Sequence, residues 1–460
     1  MLIKELLAKP EEFLQKPLVL SGWIRNKRLS SNVGFIELND GSQMQPLQVV
    51  FSPDLPNYEE IDHLGLSSTI EVHGTLVPSP AAKQPYEIAA TKIVVLGESD
   101  KDYPLQKKRH TLEFLRTIEH LRPRTNMFQA VFRMRSVLAF AVHEFFQDRG
   151  FIYVHTPLIT GTDAEGAGDM FRVTTLDMDN PPLLDDGTVD YSKDFFGKET
   201  FLTVSGQLAV EPFALAFGKV YTFGPTFRSE NSNTPRHASE FWMIEPEMSF
   251  CDLECNMQVV EDMIKHLVQA CLERAPQEMQ FFNDRFDNTL IARMKDVVEK
   301  PFQRVTYTEA IKILLASGQK FEYPVKWGMD IQTEHEKYLA GEHFRGPVFV
   351  TDYPKAIKSF YMKQNPDGKT VRAMDLLVPA VGEIVGGSER EENYELLKQA
   401  IEEREMNMDN YEWYLDLRRF GTAVHSGFGL GFERMLQYVT AVANIRDVIA
   451  YPRTPRNANF

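Results

Sequence analysis

Cysteine is scarce: the 460-residue chain has only Cys251, Cys255 and Cys271. A small, odd number rules out a disulfide framework as the source of stability. Cys251 and Cys255 sit four residues apart near one helical pattern, but no further Cys or His follows at metal-ligand spacing. Buried, reduced thiols are the expectation. Apolar runs long enough to cross a bilayer are lacking, and Met1-Leu2-Ile3-Lys4-Glu5 opens no charged-then-apolar leader. A cytoplasmic protein with no membrane partner is expected. Positive charge is in deficit, with 50 Lys and Arg against 65 Asp and Glu and a net charge of -15. That balance argues against indiscriminate nucleic-acid binding, although a local basic stripe can still meet one RNA. Lys107-Lys108-Arg109-His110, followed by Arg116, Arg122 and Arg124, is the densest such stripe. No internal repeat is visible, and the one glycine-rich stretch matches neither a P-loop nor a dinucleotide fingerprint. What remains, 43% hydrophobic and 25% charged residues, is the composition of a soluble globular enzyme.

The length exceeds one ordinary core, so two or more domains are expected. Residues 17–97 hold short alternating runs at 19–24, 34–38, 47–51, 70–74 and 86–88, with a strong turn signal at Asn39-Asp40-Gly41-Ser42. Five strands of this size suit an OB-fold barrel, which commonly binds single-stranded nucleic acid. A barrel that serves only for packing has the same periodicity. Beyond a polar, basic connector, Val131, Met134, Leu138, Val142 and Phe145 recur at helical spacing, and Gly150 follows as a C-terminal cap. The fold class expected is α+β: an N-terminal OB-fold β-barrel over 1–100, a connector over 101–125 and a larger domain over 126–460. An acidic, exposed insertion near 176–200 is expected inside the larger domain, from Pro181-Pro182 and Asp185-Asp186-Gly187.

Two arginine-bearing stretches carry the chemistry. Phe227-Arg228-Ser229-Glu230 leads through a turn-rich loop to Arg236-His237-Ala238-Ser239-Glu240-Phe241, and flanking apolar runs predict two antiparallel strands. Gly427-Phe428-Gly429-Leu430-Gly431-Phe432-Glu433-Arg434 alternates glycine and then turns helical. A planar, permanently charged guanidinium suits phosphate oxygens, and alternating glycines let backbone approach a flat ligand. Between them, Asp375 and Glu383 lie in an apolar run, where carboxylates need a cation or hydrogen bonds. Hard oxygen ligands suit magnesium bridging ATP phosphates.

Together these stretches resemble the second and third signature motifs of class II aminoacyl-tRNA synthetases, in the aspartyl/asparaginyl/lysyl subclass. The helix-strand-proline run ending at Thr156-Pro157 resembles the first motif, which in that family builds a homodimer. The resemblance implies a class II catalytic domain on a mixed, mainly antiparallel sheet flanked by helices. It implies Arg228 on the α-phosphate and the substrate carboxylate, Glu230 on the adenine amino group, and Arg236 and His237 on the outer phosphates. Phe241 and Arg434 would sandwich adenine, Arg434 also reaching the γ-phosphate. Asp375 and Glu383 would hold Mg2+, and Arg228 and Arg434 are the catalytic pair. Where aspartyl relatives carry a serine near Gly386, this chain has glycine.

The amino acid follows from Val204-Ser205-Gly206-Gln207-Leu208-Ala209-Val210-Glu211. Aspartyl enzymes place a lysine where Val210 stands. An aspartate pocket needs cations, whereas an asparagine pocket needs an acceptor for amide hydrogens. Glu211 can accept and Arg390 can donate to the amide oxygen. Aspartate against Glu211 would leave an unpaired desolvated charge, a penalty on the order of 10⁴-fold. L-asparagine is the expected substrate, and with Tyr414-Leu415-Asp416-Leu417-Arg418 the chain is similar to asparaginyl-tRNA synthetases along nearly its whole length. That similarity implies Glu165 and Gln207 on the substrate ammonium, and tRNA(Asn) as the RNA partner. On the barrel, Phe35 can stack on an anticodon base, Gln48 can read a base edge and Arg25 can meet phosphate or base. An aspartyl-like enzyme, a tRNA-independent asparagine synthetase on the same scaffold and a non-enzymatic RNA-binding relative stand as alternatives.

Overall fold

A computed structural model describes residues 1–30, 32–80, 84–162 and 170–460, in two compact units that divide between Ala130 and Val131. The first holds a closed barrel of β1 (Pro17–Leu29), β2 (Gly34–Asn39), β3 (Leu47–Phe51), β4 (Thr69–Pro78) and β5 (Tyr86–Gly97), ordered β1-β2-β3-β5-β4. Period-two alternation builds it: Leu18, Leu20 and Ile24 of β1 join Ile36, Leu38, Val49, Ile70, Val72 and Ile88 in one core. The β2–β3 turn forms as its residues predict. Gly41 has φ +82, and the Asn39 and Asp40 carboxamide and carboxylate oxygens accept from the Gly41 and Ser42 amides at 3.0 and 2.9 Å.

The second unit is built on eight strands: β6 (Ile152–Tyr153), β10 (Lys219–Phe227), β11 (Glu240–Ser249), β12 (Gln303–Thr306), β13 (Val348–Pro354), β14 (Thr370–Val378), β15 (Gly382–Glu389) and β16 (His425–Gly431). Their order is β12-β13-β14-β15-β16-β11-β10-β6, and only β12/β13 and β10/β6 run parallel. Between β6 and β10 in the chain, β7 (Ile159–Thr160), β8 (Arg172–Val173) and β9 (Thr200–Leu202) make a small separate sheet. Helices flank the large sheet. The helix Asn126–Gln147 buries Val131, Met134, Leu138, Val142 and Phe145, each fully buried apolar side chain contributing roughly 1.5–3 kcal/mol. It stops before Gly150, whose φ of +75 suits glycine alone among common residues. The helix Leu253–Arg274 starts at Asp252, whose side chain accepts from the Cys255 amide at 2.9 Å.

That helix start corrects one expectation. Cys251 and Cys255 form a disulfide, and Cys271 alone remains a buried thiol. Residue 251 precedes the helix and residue 255 lies in its first turn, so the capping bend brings together two thiols that an i,i+4 count alone leaves unpaired. The acidic segment 176–200 is exposed at Met178, Leu183 and Phe195 and is organised by local turns such as Asp186 to Thr188.

Candidate active site

Strands β10 and β11 pair Thr226 with Phe241 and Phe227 with Glu240, which sets both ends of the arginine loop side by side. The Arg228 amide donates to the Ser239 carbonyl at 3.0 Å, and its guanidinium carbon lies 5.4 Å from the Phe241 ring centroid. Strand β16 pairs with both β11 and β15 and runs directly into the helix Phe432–Thr440, which delivers Arg434 to the same place. A cleft open to solvent results. Arg228, Glu230, Arg236, His237, Phe241, Glu383 and Arg434 all line it, so the structure gathers every residue assigned to ATP.

Neighbours divide the work within the cleft. Glu433 points inward, accepting from the Trp242 amide at 2.9 Å and pairing with Arg135 at 2.8 Å. This anchor leaves Arg434 facing the cleft, where it donates to the Glu383 carbonyl at 3.1 Å. Burial, then the Arg434, Arg236 and Arg228 charges, lower the pKa of His237 despite Glu230.

The two expected magnesium ligands face each other across β14 and β15. Asp375 pairs in register with Gly386, and a Cβ at Gly386 would sit 3.5 Å from both Asp375 Oδ1 and Glu383 Oε1. Glycine there keeps the space between the carboxylates open. Lys358, unmarked by any sequence pattern, binds both Asp375 oxygens at 2.9 and 2.7 Å. Burial still raises the Asp375 pKa, Lys358 opposing and Glu383 adding to the rise. For Glu383 the balance reverses: burial favours its proton, but Arg434, then Lys358, Arg236 and Arg228, hold its pKa below the ordinary value. Glu336, from the short helix Thr333–Lys337, was also invisible in sequence. It accepts from the Glu383 amide at 3.2 Å and pairs with Arg236 at 3.2 Å, while burial and Glu383 raise its pKa.

The helix Gln207–Phe217 carries a second, buried polar cluster. Glu211 is fully buried, with Arg418 Nη1 and His425 Nε2 each 2.7 Å from Oε1. Its Oε2 accepts from Gln207 Nε2 at 2.7 Å and the Tyr414 hydroxyl at 2.6 Å. This differs from the simple expectation of an open acceptor, because each oxygen already faces two donors, so an entering amide must share or replace the Gln207 contact. Gln207 Oε1 is buried without a partner among the described residues and is able to accept from a ligand. Arg390 is committed through Nε and Nη2 to Glu247 at 2.8 and 2.7 Å and through Nη1 to Ser388 at 2.7 Å. Those three bonds leave two of a guanidinium's five N–H donors. A Cβ at Gly427 would lie 2.1 Å from Glu247 Oε2, so only glycine lets β16 pass this pair. Glu211, Glu247 and His425 could geometrically surround a metal ion, but Arg390 and Arg418 already supply cations to the two carboxylates. Glu165 lies in 163–169, outside the described residues.

On the barrel, Phe35 is half-buried and outside the core cluster, with Arg28 stacked 5.7 Å from its ring centroid. Gln48 pairs in register with Glu37 and donates to Glu87 at 3.0 Å, on the same outward face. Arg25 departs from its expected role. Its Nη1 donates to the Arg124 carbonyl and its Nη2 to Asn126 Oδ1 at 2.6 Å, so the connector holds it. Arg28, exposed beside Phe35, is the cation the sequence reading missed; the register shift between Ile24 and Asn26 interrupts the period-two count from Trp23 and sets Arg28 opposite Phe35.

The family model for class II tRNA synthetases (D, K and N) matches residues 111–455, and that for the OB-fold nucleic acid binding domain matches residues 18–96. The chain belongs to this class II synthetase family. Within it, the sequence is 60% identical over 460 residues to an asparagine--tRNA ligase of Acetivibrio thermocellus, covering 100% of this chain and 99% of that one. It is likewise 60% identical over 459 residues to an asparagine--tRNA ligase of Bacillus anthracis, covering 100% and 99%. The fold is similar to asparaginyl-tRNA synthetase from Pyrococcus horikoshii complexed with asparaginyl-adenylate, at TM-score 0.87 and 32% identity over 99% of this chain and 98% of that one.

Proposed function

We infer that the protein activates L-asparagine with ATP to asparaginyl-adenylate and transfers the asparaginyl group to the 3′ end of tRNA(Asn). The observation that carries this reading is the juxtaposition of an arginine-lined cleft with the buried polar cluster around Glu211: β11, β15 and β16 line the first, and Glu247 of β11, Ser388 of β15 and His425 of β16 belong to the second. In the first step the asparagine carboxylate attacks the α-phosphorus and pyrophosphate leaves. In the second, a hydroxyl of the terminal ribose attacks the adenylate carbonyl and AMP leaves. Arg228 and Arg434 stabilise charge developing on phosphate oxygens, and Phe241 stacks on adenine. Glu230, Arg236 and His237 complete the nucleotide contacts, and Gln207 Oε1 accepts from the substrate ammonium. Glu211 and Arg390 read the carboxamide from its N–H and C=O sides. Magnesium accompanying ATP would be held by Asp375 and Glu383 and supplies charge neutralisation on the phosphates.

Phe35 and Gln48 offer a stack and a base-edge contact to the anticodon. A homodimer is supported by the exposed apolar residues Phe140, Ile152 and Tyr153 on the first-motif helix and edge strand. Among the described residues no helix is long and apolar enough to cross a membrane, which accords with action in the cytoplasm. Amino-acid-dependent exchange of pyrophosphate into ATP, run across the twenty amino acids, tests the reading. Asparagine alone should support rapid exchange; equal exchange with aspartate would defeat the assignment.

A further inference from the structure

Arg418 stands 207 residues from Glu211 in the chain, and nothing in the run Tyr414-Leu415-Asp416-Leu417-Arg418 announces that its guanidinium pairs with that carboxylate, which it meets as closely as His425 does. It lies in the last turn of the helix Glu412–Arg419. Its Nη1 is 2.7 Å from Glu211 Oε1, with both side chains wholly closed to solvent. The rest of the guanidinium is fixed by its own partners. Nε donates to the Glu391 carbonyl at 2.8 Å, and Nη2 to the Tyr414 hydroxyl at 3.2 Å. The guanidinium is therefore held in one position whether or not a ligand is bound nearby.

The groups facing Glu211 come from three elements: Gln207 from its own helix, Tyr414 and Arg418 from the helix Glu412–Arg419, and His425 from β16. Arg390 is close enough to act on it electrostatically, but its ion pair is with Glu247. Arg418 is thus the guanidinium paired with Glu211, and a guanidinium does not lose its charge in a protein. Burial by itself would put a proton on Glu211. Arg418, then His425, outweigh burial and hold its pKa far below the ordinary carboxylate value.

We propose, resting on the asparagine reading, that Arg418 is a specificity-determining positioning residue, keeping Glu211 an acceptor so that a carboxamide is admitted and a carboxylate refused. An ionised Glu211 can only accept, so it favours the N–H groups of asparagine and repels the side chain of aspartate. With the guanidinium removed, the largest influence opposing burial is lost while His425 and Arg390 still oppose it, so the balance shifts toward a protonated Glu211. Its O–H then donates, and the pocket tolerates a second carboxylate.

The test measures pyrophosphate exchange with asparagine and with aspartate in the unaltered protein, Arg418→Met, Arg418→Lys, Glu211→Gln and the double variant. In Arg418→Met the ratio of kcat/KM for asparagine to that for aspartate should fall at least about tenfold, through KM for the amino acids, with KM for ATP held within about twofold. Arg418→Lys should recover part of the ratio. Arg418→Met should change it no further in the Glu211→Gln background, because the arginine acts through that carboxylate. An unchanged ratio, a parallel rise in KM for asparagine and ATP, or additive losses in the double variant would overturn the role. If Arg418→Met fails to fold, Tyr414→Phe removes one hydroxyl from Glu211 and should lower the ratio by about twofold or more; an unchanged ratio there overturns the role equally. A lack of asparagine-dependent exchange in the unaltered protein would sink the asparagine reading itself, a result separable from a variant that discriminates as well as its parent.

Discussion

The arginine-lined cleft and the buried cluster around Glu211 both draw on β11, β15 and β16, yet they manage charge in opposite ways. In the cleft the Arg434 and Glu383 side chains keep 26% and 35% of their exposure. In the cluster Arg418 and Glu211 keep none, and Arg390 and Glu247 keep 3% and 0%. A polyanion must displace water from accessible cations, so those cations have to stay reachable. A neutral carboxamide must be told from a carboxylate, and that requires charges already paired and desolvated, where one uncompensated group is expensive. One sheet therefore carries an attractive site and a selective one a few residues apart.

The largest expected effect bears on the open site. Arg434→Ala should lower exchange kcat/KM by about 10³-fold, on the scale of losing one transition-state charge contact, while tRNA titration is unaffected. Near-normal exchange would remove its phosphate role. The second sharpens the contrast in stability. Glu211→Ala strands Arg418 and His425 in the interior and should cost about 3–5 kcal/mol in urea unfolding, whereas Arg228→Ala at the cleft should cost about 1 kcal/mol or less. Equal costs would erase the distinction between the two sites. Smaller still, Phe35→Ala should raise KM for tRNA by about tenfold and leave exchange alone, as expected for one lost base stack. The smallest concerns pH. His237 has a lowered pKa in the free protein, and phosphates beside it favour its protonated form. ATP binding should therefore take up protons below about pH 7 and strengthen on acidification by less than about tenfold. Calorimetry in buffers of different ionisation heat reads this directly, and His237→Gln should abolish the uptake.

Much of this was legible from residues alone. Period-two runs placed all five barrel strands, and the Asn39-Asp40-Gly41-Ser42 turn formed where its composition put it. The strands flanking Arg228 and the helix that starts at Phe432 also stand where the pattern put them. The gathering of seven side chains in one cleft followed, because strand pairing and the β16-to-helix junction are local consequences of those patterns. Lys358, Glu336 and the pairing of Arg418 with Glu211 were not legible, since each contact comes from an element whose own pattern says nothing about its partner. Arg25 misled for a similar reason: its strand position was right, but the connector captured its guanidinium. The Cys251–Cys255 bond was missed because an i,i+4 count does not describe a capping bend.

By itself the sequence determined the two-domain plan, the barrel, the arginine-bearing strands and the residue types a nucleotide and an amide would need. Those properties reside in periodicity, turn chemistry and side-chain functional groups, all short-range. Only the tertiary structure decided which charges meet: that Glu211 is closed in by Arg418, His425, Tyr414 and Gln207, and that Glu336 and Lys358 complete the carboxylate cluster. Coulomb and desolvation energies depend on distances and burial across elements far apart in the chain, and those are fixed only when the sheet and its helices pack.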